Sequence, residues 1–147
     1  MEIEKKFLVK ELPPDLDRYP HAPIVQAYLC TAPVMRIRRH GDRYIFTYKG
    51  SGLMVREEYN LPLTAEAFAH LLPKADGRLI QKTRYNIPYT CNGQCLTIEL
   101  DLFQEPSQLI MAEVEFPDEE SAMRFIAPDW FGKEVTQDPA YHNSNMI

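Results

Sequence analysis

The chain has 147 residues, a formal net charge of -5, 45% hydrophobic residues and 25% charged ones. These values suit one soluble domain spanning 1–147, long enough to bury a core. The acidic balance, with no Lys/Arg-rich run, excludes nucleic acid as a general partner, and no apolar run is long enough to cross a membrane. Met1 leads straight into charged residues, which predicts no secretory signal peptide. Cys30, Cys91 and Cys95 are odd in number and lack zinc-ligand spacing, so they read as free thiols of a reducing, cytoplasmic compartment.

Strand signals run through most of the chain. Residues 2–10 alternate polar and apolar, and Leu12-Pro13-Pro14 stops them. A Pro-containing loop to Pro23 precedes strands over 24–30, 34–40 and 43–49, with His40-Gly41-Asp42 as a tight turn. A fifth strand follows at 53–61. Thr64 caps a short helix to Leu72, whose Ala65, Phe68, Ala69 and Leu72 form one apolar stripe. Strands at 78–90 and 94–103 join through Asn92-Gly93, a type I′ signal, and a last strand covers 109–116. Asp118 caps a helix that Pro128 ends, and Asp138-Pro139 predicts a short terminal helix. The predicted class is α+β, mainly β, with a few short helices outside and at the C-terminus. About eight antiparallel strands in one small domain favour a closed or nearly closed barrel, which removes exposed edges.

Reading each strand by face exposes a segregation of charge. Residues two apart share a face. That groups Glu2, Glu4 and Lys6; Arg36 and Arg38; Thr47 and Lys49; and Arg56, Glu58 and Asn60. It also groups Lys82, Arg84 and Asn86; Thr97, Glu99 and Asp101; and Glu113 and Glu115. Behind Glu99 and Asp101 the other face is wholly aliphatic: Leu96, Ile98, Leu100 and Leu102. One such strand would ordinarily turn its polar face to solvent. Solvated faces, however, mix charges with neutral polar residues, whereas the charges on the Arg36/Arg38 and Lys82/Arg84 strands are purely basic and those on the Glu99/Asp101 and Glu113/Glu115 strands purely acidic. Inside a barrel, neighbouring carboxylates require a cation or a proton between them, and a basic cluster requires an anion. A polyphosphate accompanied by Mg2+ or Mn2+ satisfies both.

Glu2-x-Glu4-x-Lys6 resembles the ExExK signature of the CYTH proteins, the triphosphate tunnel metalloenzymes. The likeness extends through Gln26–Leu29, Val34–Arg38, Thr47–Gly50 and Gln81–Tyr85. It continues with Ile98–Asp101, Ala112–Phe116, Trp130–Thr136, Asp138 and Tyr141-His142-Asn143. Asn60 departs from the acidic residue often found there in the family, which removes a charge from that position.

The resemblance implies an eight-stranded antiparallel β-barrel that binds triphosphate in its lumen. It implies Glu2, Glu4 and Glu115, then Glu113, as ligands of Mg2+ or Mn2+. Lys6, Arg36, Arg38, Lys49, Arg56, Lys82 and Arg84 would clamp phosphate oxygens, with Lys133 near the mouth. Glu58, Glu99 and Asp101 would orient water, a second metal or the basic side chains. The expected reaction is metal-assisted phosphoryl transfer to water, with inorganic tripolyphosphate as first choice of substrate. The alternatives are adenylate cyclisation to cyclic AMP, thiamine or nucleoside triphosphate hydrolysis, and a polyphosphate-binding module without turnover. Tyr28, Tyr44, Tyr48 and Tyr85 read as barrel core rather than a base platform. His21, His40, His70 and His142 read as surface or structural residues. Monomer and homodimer both remain open.

Overall fold

The structure is a computed structural model that describes residues 1–147. Two-residue alternation makes more than half of the chain strand: β1 (Glu2–Val9), β2 (His21–Thr31), β3 (Val34–His40), β4 (Arg43–Lys49) and β5 (Val55–Arg56). There follow β6 (Glu58–Leu63), β7 (Asp76–Cys91), β8 (Gln94–Glu105), β9 (Ile110–Glu115) and β10 (Phe131–Glu134). The helices are short: α1 (Ala65–Leu71) and α2 (Glu119–Met123). Thr64 caps α1 by accepting from the Ala67 amide, and Asp118 caps α2 by accepting from Ser121. No helix is long and apolar enough to cross a membrane.

All pairings are antiparallel, in the order β10-β1-β9-β8-β7-β2-β3-β4-β6. β5 lies one residue before β6 in the chain but pairs with β1, setting Arg56 opposite Glu2. The run 55–63 therefore bridges the two ends of the sheet, which wraps into a nearly closed barrel. The path holds nine strands rather than the expected eight. The expected strand 53–61 is broken at Glu57, whose carbonyl turns to accept from the Gly50 amide. In addition, β10 pairs along β1, where Gly132 had obscured any alternation.

Smaller differences have local causes. β2 starts at His21, within the expected loop, because Pro23 sits near the strand's beginning and its carbonyl still accepts from Gly41. α2 stops at Met123, well short of Pro128, and Phe125 instead packs into the core beyond it. The expected terminal helix is a pair of 3-10 turns, Pro139–Tyr141 and Asn143–Asn145. At the β7–β8 turn, Asn92 and Gly93 both take positive φ, 53° and 73°, as a type I′ turn requires.

The barrel is apolar outside. Ile98, Leu100, Ala112 and Val114 of β8 and β9 meet Phe7, Phe116, Ala122 and Phe131 in the largest buried cluster. Phe68 of α1 covers Ala27 and Ile37 of β2 and β3. A third cluster lies within the lumen at one end: Tyr28, Val34, Ile80, Phe103 and Met111, with Tyr141, Met146 and Ile147 of the tail packed on it. Gly77 (φ +66°) admits that tail, since a Cβ there would come within 2.9 Å of Ile147. The outer core holds the lumen shut. Truncating the fully buried Leu100 to Ala is therefore expected to cost about 2–5 kcal/mol, read from chemical denaturation; an unchanged midpoint would contradict this role.

Candidate active site

The pleat that buries Leu100 on the outside turns Glu99 and Asp101 inward, and the same rule operates on every stave. The lumen holds a cavity of about 310 Å³. Strand β1 contributes Glu2, Glu4 and Lys6, and β9 contributes Glu113 and Glu115. Arg36, Arg38 and His40 come from β3, while Arg43, Ile45, Thr47 and Lys49 come from β4. Glu58, Asn60, Arg84, Glu99 and Asn143 complete the lining. Ile45 is its one hydrophobic residue. Six cations, Lys6, Arg36, Arg38, Arg43, Lys49 and Arg84, face six acids, Glu2, Glu4, Glu58, Glu99, Glu113 and Glu115. The apolar cluster at one end forms the floor.

The charges are not evenly paired. Lys49 Nζ lies 2.9 Å from Glu2 and 3.7 Å from Glu58. Lys6 stands 3.9 Å from both Glu4 and Glu113. Arg84 grips Asp101 with two hydrogen bonds, 2.7 and 2.8 Å, and reaches Glu99 at 3.0 Å. Arg36 and Arg38 have no carboxylate. Arg36 donates to Thr47 Oγ1 at 3.2 Å and its Nε has no partner; Arg38 Nε donates to Gln26 Oε1 at 2.8 Å.

Burial and crowding shift the titrations. Burial first, then Glu58 and Glu4, push Glu2 up to about 8. Glu58 is held down to about 2: Glu2's proton and Lys49 outweigh its own burial. Burial, with Glu113 beside it, pushes Glu4 up to about 7. Burial, then Arg36 and Arg84, lower Arg38 to about 9. His40 falls to about 4 through burial and the neighbouring Arg38. Glu113 is pulled the other way, well below the usual range, because Lys6 and Arg84 overcome its burial.

Most of the expected site residues share this cavity, but four do not lie on its wall. Asp101 is fully buried behind it, between Arg84 and Lys82, whose Nζ is 2.7 Å away. Asp101 thus points inward but lies beneath the cavity lining, where it holds the basic side chains. Lys82 is likewise buried beneath the surface. Arg56 donates to the Gly50 carbonyl and borders a smaller void with Lys6, Arg36 and His142. Lys133 is exposed on β10, sharing the face of Phe131 on the barrel's outside, away from the mouth expected for it. Conversely, His40 and Arg43 line the cavity although neither was expected to. His40 continues the Arg36, Arg38 alternation and Arg43 is its cross-strand partner, so the signal was present. Asn143 lies in the irregular tail, where no periodicity could announce it. None of the four tyrosines lines the cavity: Tyr28 is in the floor, Tyr44 packs on Phe68, Tyr48 on Tyr59 and Tyr85 on His21.

No family model matches the chain. An inorganic triphosphatase of Nitrosomonas europaea is 42% identical over 99% of this chain and 95% of its own length. An inorganic triphosphatase of Acetivibrio thermocellus is 36% identical over 77% of this chain and 70% of its own. The crystal structure of the inorganic triphosphatase NE1496 superposes with a TM-score of 0.69 at 36% identity, covering 99% of this chain and 93% of that one. Near-complete coverage at these identities, on a shared barrel, places the chain in the inorganic triphosphatase family.

Proposed function

We propose that the chain is a divalent-metal-dependent triphosphatase of the CYTH, or triphosphate tunnel, type, which hydrolyses inorganic tripolyphosphate to diphosphate and phosphate. The observation that carries this reading is the pair Arg36 and Arg38: a buried and a half-buried side chain whose guanidiniums are served only by neutral acceptors, inside an almost wholly polar cavity. A guanidinium removed from water without a carboxylate binds phosphate oxygens strongly. The lining holds no Phe, Tyr or Trp and its one aromatic ring is His40, so it favours the phosphate chain over a nucleobase or a thiamine ring as the part recognised.

The donor set fits a hard cation. Glu2, Glu4, Glu113 and Glu115 offer carboxylate oxygens, the chemistry Mg2+ and Mn2+ prefer, and Glu58 Oε2 lacks any hydrogen-bond partner. Six acids and six cations line the cavity, so a polyanion arriving with a divalent cation meets partners for both sets of side chains. The acids are at present spread among the lysines, and no three of them converge on one point. When bound, the metal would supply charge neutralisation on the phosphate oxygens and acidify water.

The chain's own residues have separable tasks. Arg36, Arg38 and Arg84 bind and orient the phosphates, and Lys6 and Lys49 neutralise oxygens nearer the acidic wall. The acidic residues at the mouth orient the water that attacks the terminal phosphorus and accept its proton. The bridging P–O bond breaks, and diphosphate leaves as an anion held by the basic wall.

Incubating the protein with tripolyphosphate, ATP and thiamine triphosphate, with Mg2+ or Mn2+, tests the reading. Phosphate and diphosphate should come chiefly from tripolyphosphate. Cyclic AMP with diphosphate would mark a cyclase, and no turnover of any substrate would mark a binding module. Arg38→Ala should raise the KM for tripolyphosphate about 10–100-fold, the scale of a hydrogen bond to a charged group; an unchanged KM and kcat would remove Arg38 from the site.

Glu4→Gln should abolish metal-dependent turnover. It should also change stability in a pH-dependent way. Glu4 titrates near 7 in the folded chain, above its ordinary 4.5, so the native state holds that proton more tightly than the unfolded one. Its ionisation costs nothing at low pH and weakens the fold as pH rises through about 7. The variant should therefore melt higher than the parent at about pH 9 and lose that advantage at about pH 4. Equal melting temperatures at both pH values would contradict the burial cost assigned to Glu4.

A further inference from the structure

Arg38 is held by a relay that begins in the tail. Its Nε donates to Gln26 Oε1 at 2.8 Å. Gln26 is fully buried, and an amide can face either way. Two acceptors decide the matter: Gln26 Nε2 donates to Tyr28 Oη at 3.2 Å and to Asn143 Oδ1 at 3.3 Å. The same Asn143 oxygen accepts from Lys82 Nζ at 3.1 Å. Asn143 opens the last 3-10 turn, with its own carbonyl accepting from Met146 and the turn tied back by Asn145 Nδ2 to the Pro139 carbonyl.

We propose that Asn143 is a positioning residue for the phosphate-binding wall: its side-chain oxygen fixes the Gln26 amide so that Gln26 presents its own oxygen to Arg38. This inference rests on the cavity being the triphosphate site. Without Asn143, Tyr28 Oη alone remains beside Gln26 Nε2, and a hydroxyl, which can donate as well as accept, does not fix which way the amide faces. A rotated amide would present an N–H2 group to a guanidinium, donor against donor, and Arg38 would lose its neutral anchor in the barrel wall. Lys82 would keep Asp101 at 2.7 Å, so Arg38 carries the effect. The residue's sequence position gives it reach: the tail also seals the apolar floor through Tyr141, Met146 and Ile147, so a closed floor and an aligned Arg38 arrive together.

The test has two readouts. The first is the Arg38 Nε–H signal in a nitrogen-15 NMR spectrum of the ligand-free protein. It should be slow to exchange in the parent, broaden or move in Asn143→Ala, and be kept in Asn143→Asp, which retains the acceptor oxygen. The second is calorimetric affinity for tripolyphosphate. Asn143→Ala should weaken it about five- to tenfold, the scale of one hydrogen bond. In a Gln26→Ala background the same substitution should cost less than about twofold, because the two act as one unit. Asn143→Ser, whose hydroxyl falls short of both donors, replaces Asn143→Ala should that variant unfold. An unmoved Arg38 signal, or fully additive losses of affinity, would overturn the proposal. A parent protein that binds no tripolyphosphate, but shows the Arg38 signal moving as described, would sink the functional reading and leave the positioning role standing.

Discussion

Asp101 is fully buried between Arg84 and Lys82, and the polar lumen depends on that arrangement. A charge taken out of water must be neutralised where it lies, or the fold loses several kcal/mol for each one. By pairing with both cations at 2.7 Å, Asp101 lets β7 and β8 turn charged faces inward while their aliphatic faces build the outer core. Arg84 extends the neutralisation to Glu99, at 3.0 Å, and towards Glu113, at 3.8 Å. That side of the barrel is therefore balanced before any ligand enters. The wall two strands along is not, since β3 carries Arg36 and Arg38 with only Thr47 and Gln26 to accept from them. One side holds the barrel together and the other awaits an anion. Under the proposed function this asymmetry, more than the number of charges, is the reason to assign phosphate to Arg36 and Arg38.

The closed floor strengthens the same asymmetry. One residue-pair beyond the charged layer, each inward face turns apolar: Val34 after Arg36, Phe103 after Asp101, Met111 after Glu113. With the tail packed on them, bulk water reaches the cations from one end. Screening is weaker in such a site than at a surface, so each guanidinium interacts more strongly with an oxyanion. The acids feel the same conditions in reverse. Glu2 and Glu4 are pushed up to about 8 and about 7 because burial and neighbouring carboxylates disfavour their ionised forms. A cation bound beside these carboxylates would relieve that cost.

The charged lumen was legible because the pleat is strict. Once Leu96, Ile98, Leu100 and Leu102 are read as buried, Glu99 and Asp101 have to point the other way, and like strands repeat the lesson. What alternation cannot show is depth. Asp101 and Glu99 share a face, yet one is sealed behind the wall and the other lines the cavity, a difference set by cross-strand register with Arg84 and Asn86. Nor does alternation reveal how strands close. The break at Glu57 depends on a hydrogen bond to Gly50, and β10 exists because β1 offers an edge to it. Asn143 lies beyond any periodic signal, since its place depends on a tail folded back 117 residues along the chain to Gln26.

Asn60 shows how a departure in sequence can be read physically. An acidic residue expected there would add a seventh carboxylate to a cavity in which six acids already match six cations. Asn60 instead links opposite charges through neutral groups. Arg36 donates to Thr47 Oγ1, Thr47 donates to Asn60 Oδ1 at 2.6 Å, and Asn60 Nδ2 donates to Glu58 Oε1 at 2.7 Å. An amide can both accept and donate, so it satisfies the hydroxyl on one side and the carboxylate on the other. A carboxylate at this position could only accept. It would repel Glu58 and draw Arg36 towards itself, cancelling the charge that has no other partner. Asn60 thus stabilises the ionised form of Glu58, which is held down to about 2, while leaving Arg36 available to the ligand.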